Sequence, residues 1–227
     1  MLRRLSIAVL GLGLAPLLFA AGPTPPETRL ATPGELIISQ PFHTADGLAA
    51  KGAPGFQQLI GHWEVRDGVL VGNELASDHH TASCIDRTVF TDAVITAQVQ
   101  LGDAERIAIL MRDDIAPNHH LARVFLTPDS LWVQHMSGIS KSTKSEILEK
   151  KAAPFDPSQW YTVVIEVVGD EILARIGDQT IYAKHARFQA TKGIVGMLVK
   201  GQNARFRNVA VWHATPNPAW RAPASEQ

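Results

Sequence analysis

The spacing of the apolar residues limits how this chain folds more than any other feature. From Trp63 to His213 they recur in short β-branched runs, and almost nothing repeats at helical spacing. "HWEVR" and "VLVG" are joined by Asp67-Gly68, a dipeptide that tolerates the positive φ angles of a tight hairpin turn. "DAVITAQVQL", "RIAILMR", "HLARVFL", "SLWVQHM" and "WYTVVIEVV" follow as strand candidates. "EILARIGDQTIYA" reads as a second hairpin turning at Gly177-Asp178, and "GIVGMLV" and "ARFRNVAVWH" close the series. Many short strands separated by turn residues predict an all-β fold, a single antiparallel β-sandwich over 35–213. The charged stretch "SKSTKSEILEKKAAPFDPSQ" interrupts the series and reads as a long solvated loop with one helical turn at most.

The ends differ from this middle. "MLRRLSIAVLGLGLAPLLFAAGP" sets two arginines before an apolar run that closes on small residues, the pattern of a secretory signal peptide over 1–22. The run is short for a membrane span, which needs about 20 residues, and no cysteine follows it to carry a lipid. The expectation is a periplasmic or extracellular protein with no stable membrane anchor after signal removal. Residues 23–34, rich in proline and threonine, read as a solvated linker, and 214–227 as a disordered tail. With 21 Lys and Arg against 22 Asp and Glu, nothing attracts nucleic acid. Cys84 is the one cysteine, so the core must hold without an internal disulfide, and the thiol is expected to pack as a small buried hydrophobe.

Two adjacent histidine pairs stand out, in "NELASDHHTAS" and "DDIAPNHHLARVF". Neighbours on a strand point to opposite faces, so one imidazole of each pair, at a turn or strand start, would enter a groove. Histidine titrates near neutrality and is the commonest proton carrier in catalysis. Glu74, His79, His80 and His120 are therefore the candidate acid–base residues. The competing readings are a metal site, since imidazoles with carboxylates suit a transition ion, and ordinary loop histidines. No recognised motif requires a cofactor, a divalent metal is compatible, and its identity stays unknown. Arg112, Asp113, Arg123 and Lys192 are candidate ligand-binding residues; Arg112 and Asp113 have a plainer alternative as an edge charge pair, and Lys192 as an exposed loop lysine. Arg123 lies three residues after His120 and faces away from it unless a bulge intervenes. Trp63, Trp132 and Trp160 sit at strand starts, where core packing is expected.

"HWEVRDGVLVGNE" resembles the opening motif of the 3-keto-disaccharide hydrolase-like family of sandwich domains. "SQWYTVVIEVVGDEILARIGDQTI" resembles its later motif, and "ARFRNVAVW" its closing strand. The resemblance implies a concanavalin A-like (laminin G/glucanase type) jelly roll of two curved antiparallel sheets whose concave face binds carbohydrate. It also implies hydrolysis of 3-keto glycosides by elimination and hydration. A ketone at C3 acidifies the C2 proton, so a neutral base, a cation for the enolate oxygen and an acid for the leaving group suffice. His79 or His80 would be the base and His120 its partner; Glu74 would orient an imidazole, and Arg112 or Arg123 would hold the oxyanion.

Other chemistries lack their residues. No strand carries the Glu-x-Asp-x-(x)-Glu pattern of retaining glucanases, and no carboxylate pair stands out for glycoside hydrolysis. There is no Gly-x-Ser-x-Gly elbow and no phosphate-binding glycine loop. The alternatives to an enzyme are a non-catalytic carbohydrate-binding domain and a cell-envelope interaction module, the latter favoured by an aromatic content of only 7%.

Overall fold

The computed structural model describes residues 22–114, 119–138 and 142–223. All of the expected signal peptide but Gly22 lies outside them. The first strands are β1 (Ala31–Gln40), β2 (Gln57–Ile60), β3 (His62–Arg66), β4 (Val69–Asn73), β5 (Ala82–Asp86), β6 (Ala93–Gln100), β7 (Asp103–Asp113) and β8 (His120–Leu126). They are followed by β9 (Ser130–Ser137), β10 (Lys144–Ala152), β11 (Tyr161–Val168), β12 (Glu171–Ile176), β13 (Gln179–Lys184), β14 (Lys192–Gln202) and β15 (Ala204–Pro216). Sheet I runs β13-β12-β11-β6-β15-β4-β3, with β1 beside the far half of β15. Sheet II runs β10-β9-β8-β7-β14-β5-β2. Every pairing within them is antiparallel, which makes the domain the all-β sandwich that the apolar spacing predicts.

Side chains alternate across each strand, so each sheet has one inward and one outward face. Ile95, Val99, Ile165, Val167 and Phe206 from sheet I meet Ile107, Ile109, Val124, Val133 and Met197 from sheet II in one buried cluster. Trp63 packs in this core, its ring 5.9 Å from Phe206. The ring lies over Gly72, where a Cβ would stand 2.5 Å from it, so only glycine fits opposite this tryptophan. Cys84 is buried here too, and burial pushes its thiol well above the usual range. Asp67 (φ 52°) and Gly68 (φ 76°) both adopt positive φ at the β3–β4 turn, as a tight hairpin with right-handed strand twist requires.

The expected loop at 140–159 is corrected by β10, a nine-residue edge strand paired with β9. Its lysines and glutamates hid the alternation, yet a charged, exposed strand is how a sheet edge is kept from pairing with other chains. The sheets also extend past both ends of 35–213. β1 starts at Ala31 because it pairs on one side only, where Pro33 is tolerated, and β15 continues to Pro216. Leu30 and Ala31 pack with Val94, Val164, Leu173 and Trp212 on the outer face of sheet I. In the same layer the Trp220 indole donates to Glu171 at 3.3 Å. Glu166, wholly buried on this face, accepts the N–H groups of Arg29, Leu30 and Ala31 on one carboxylate oxygen at 2.7–2.9 Å. Its other oxygen faces Arg175 at 3.7 Å.

Candidate functional site

The outer face of sheet II gathers most of the sequence-derived candidates. The register sets Arg112 opposite His120 and Ile194, Leu110 opposite Arg123, and Ala108 opposite Phe125, so all of these point outward together. A bulge between Met111 and Arg112 makes this possible. It inserts Leu121 as an extra residue, so His120 and Arg123 share a face despite their odd spacing. Arg123 Nη2 lies 3.4 Å from His120 Nδ1. Arg106, six residues before Arg112 on β7, is on the same face, and its guanidinium and that of Arg123 lie 5.7 and 5.9 Å from the Phe125 ring centroid. Phe125 stacks on Trp132 at 4.6 Å, which places Trp132 on this face rather than between the sheets, and Lys150 covers its ring at 5.4 Å. Between the cations lies an apolar floor of Ile85, Leu110, Ile194 and Leu198.

Among the described residues, no carboxylate pairs with Arg106, Arg112 or Arg123. Arg112 is 6% exposed, and its Nε, like that of Arg106 and the Ser83 hydroxyl on the same face, is buried without a hydrogen-bond partner. Buried donors of this kind are costly unless something accepts from them. Burial and the neighbouring charges show in the titration: burial, then Arg112 and Arg106, lowers Arg123 to about 10. Arg112 is lowered by burial and by Arg87. His120 is lowered to about 4, first by burial, then by the charges of Arg123 and Arg112, with smaller contributions from His80 and His119. It is a neutral imidazole at physiological pH, held against two guanidinium groups.

The remaining candidates lie elsewhere. Glu74 binds the β14–β15 turn, accepting the Gly201 N–H at 3.0 Å, and does not contact an imidazole. His79 is exposed with φ 49° and closes a short 3-10 turn at Ala76–Asp78. His80 is exposed, with Nδ1 2.7 Å from the Thr81 carbonyl, and lies close enough to His120 to influence it. Asp113, the neighbour of Arg112, points the other way, is 1% exposed and forms an ion pair with Arg187. Lys192 is not an exposed loop lysine: it is fully buried, and its ammonium donates to the carbonyls of Thr91, at 2.6 Å, and Phe188. Burial lowers it to about 8, against the opposing charge of Asp92. Arg106 is the residue that sequence reasoning missed, although its even spacing from Arg112 along one strand was there to be used.

A second group appears at the open edge of the sandwich. His135 on β9 pairs in register with Glu146 on β10, and His185, after β13, stacks on His135 with ring centroids 3.7 Å apart. The ligand atoms of the three side chains lie within 4.8 Å of one another. Among the described residues this is the group of three or more potential ligands so placed; the two adjacent histidine pairs do not form one.

Two antiparallel sheets packed face to face, with polar and aromatic side chains on one outer face, define a galectin- or concanavalin-type jelly roll. A carbohydrate-binding module, CBM66, from Bacillus subtilis superposes with a TM-score of 0.59 at 16% identity, over 71% of this chain and 97% of its own. A Bacillus subtilis protein of unknown function with a galectin-like fold gives 0.60 at 12% identity, over 83% and 100%. The laminarinase from Rhodothermus marinus gives 0.55 at 14%, over 82% and 99%. At these identities the likeness is one of fold. No curated protein matches by sequence. The chain belongs to the 3-keto-alpha-glucoside-1,2-lyase-like domain family, whose model matches residues 50–211. It is thus a member of a glycoside-related domain family.

Proposed function

We propose that the outer face of sheet II binds a 3-keto glycoside and cleaves it by elimination and hydration. The observation that carries this reading is a neutral His120 set against Arg112 and Arg123, which lack carboxylate partners among the described residues. A 3-keto sugar uses both features. The substrate's C3 oxygen draws Arg123 away from His120 Nδ1. The freed nitrogen takes the C2 proton, and the electron pair moves to the C3 oxygen as an enolate, which the guanidinium groups of Arg112 and Arg123 stabilise. The enolate then expels the C1 substituent, which leaves with a proton from His80, and a C1–C2 double bond remains. Water adds at C1 and a proton returns to C2, so the sum is hydrolysis. The low basicity of His120 is offset in the transition state, because negative charge develops beside it and favours the imidazolium. Phe125 and Trp132 give the sugar an apolar wall. Glu74, His79, Asp113 and Lys192 carry no step in this scheme. We further propose that residues 1–22 direct export, so that the domain acts outside the cytoplasm.

The likeness of fold to a carbohydrate-binding module supports a second reading, in which the same face holds a sugar without turnover. One experiment separates the two. The purified protein is mixed with a glycoside and its 3-keto counterpart, and binding and products are followed together. The expected result is release of the aglycone from the 3-keto compound alone, lost in His120→Ala with binding kept. Binding of both sugars without product would establish the second reading. Unchanged turnover in a His80→Ala/His120→Ala variant would remove the first.

A further inference from the structure

We propose that His135, Glu146 and His185 form a site for a divalent first-row transition ion, zinc above all, that ties the edges of the two sheets together. The three residues come from separate elements: His135 and Glu146 face each other across β9 and β10 of sheet II, and His185 follows β13 of sheet I. Two imidazoles and a carboxylate are a donor set that suits zinc and its neighbours and does not suit calcium or magnesium, which take oxygen ligands. Their ligand atoms lie within 4.8 Å of one another. Ligands on a tetrahedral zinc are roughly 3.3 Å apart, so binding requires the stacked imidazoles to swing apart until both in-plane lone pairs meet one ion.

An independent observation points to a missing partner: His135 Nε2 is buried and has no hydrogen bond. An imidazole nitrogen walled off from water is costly unless something engages it. A metal takes neutral imidazole, and the His135 and His185 rings lie stacked 3.7 Å apart beside Arg187. The flanking Arg187 is itself engaged by Asp113. His185 Nδ1 accepts the Arg187 N–H at 3.1 Å, capping the short turn Ala186–Gln189. A neutral imidazole has one lone pair, so ligation competes with this cap, and the Arg187 amide reports on binding. Three protein ligands leave a fourth position for water or another donor. The cluster adjoins a cleft of about 740 Å³ between β10 and β13, whose lining includes Leu148, Lys151, Tyr182 and Lys184. The site is separate from the outer face of sheet II, because His135 points between the sheets while Gln134 points outward.

The test is titration of metal-free protein with zinc chloride by calorimetry and with cobalt(II) chloride by visible absorption, alongside calcium and magnesium chloride. The expected result is one saturable zinc site and the strong visible bands of four-coordinate cobalt. Heat unfolding should shift upward with zinc, and the Arg187 amide resonance should move. His135→Gln, Glu146→Gln and His185→Gln should each weaken binding more than about 100-fold, beyond what loss of an outer hydrogen-bond partner costs. In chelator, unfolding temperatures of the Glu146→Gln variant and the wild type should agree, which separates ligand loss from misfolding. Absence of saturable zinc binding, or binding that survives in Glu146→Gln and His135→Gln but fails in His79→Ala/His80→Ala, would overturn the proposal.

Discussion

On the outer face of sheet I, Glu166 is fully buried, and three backbone N–H groups and Arg175 converge on it. On the outer face of sheet II, Arg112 is almost as buried, yet Arg123 and Arg87 flank it, Arg106 stands beyond Arg123, and no acid among the described residues answers them. The first face is sealed by the chain itself, through Leu30, Ala31 and Trp220. Its buried charge serves the fold. A buried charge without an internal partner costs stability, and on the second face that cost has a use only when an electron-rich ligand arrives. The difference separates a charge that closes a structure from charges that wait for something outside it.

The largest expected effect breaks the first half of this comparison. Glu166→Ala leaves three amides without their acceptor and the mostly buried Arg175 guanidinium without its counter-charge, and should cost about 3–5 kcal/mol, read from urea unfolding. Arg112→Met should change stability by less than about 1 kcal/mol or raise it. If both cost the same, the arginine is structural and the comparison fails. The same Arg112→Met protein, or Arg123→Met, should lose roughly 10²–10³ in kcat/KM on a 3-keto glycoside. Loss of activity without loss of stability is the signature sought.

The pH dependence sharpens the second half. His120 titrates at about 4 in the folded protein against an ordinary 6.5, so folding favours its neutral form. Its contribution to stability is complete above 6.5 and is lost as pH falls towards 4, where the folded imidazole protonates. Unfolding measured at several pH values should show this slope in the wild type and a shallower one in His120→Gln. After burial, Arg123 is the strongest cause of the shift, so Arg123→Met should move the His120 resonance midpoint upward in an NMR titration. The smallest effect concerns Lys150, whose ammonium lies over Trp132. Lys150→Ala should cost about 0.5–1 kcal/mol, measurable as a small change in urea midpoint.

The sequence made the sandwich readable because its inner strands alternate or run continuously apolar, and because Asp67-Gly68 announces a turn. It concealed β10, whose faces are both solvated, so burial imposes no period on Lys144–Ala152. The His120 face was partly legible: the histidine and two arginines stand in strand-like runs, but their shared direction depends on a bulge that no residue pattern marks. Glu74 drew attention by lying near histidines in sequence, while the fold spends its carboxylate on Gly201. His135, Glu146 and His185 escaped notice for the opposite reason, since fifty residues and two sheets separate atoms that end as neighbours.

β14 and β15 come last in chain order among the described strands, yet each sits in the interior of its sheet. Without Ala204–Pro216, β1 and the β3–β4 hairpin have no strand to join β6, and β5 with β2 waits on β14 to reach β7. Such long-range closure makes assembly slow and leaves incomplete chains with unpaired edges. The domain therefore commits to its shape only once both strands are in place, and a chain ending before β14 is left with separate pieces of both sheets rather than a smaller version of the domain.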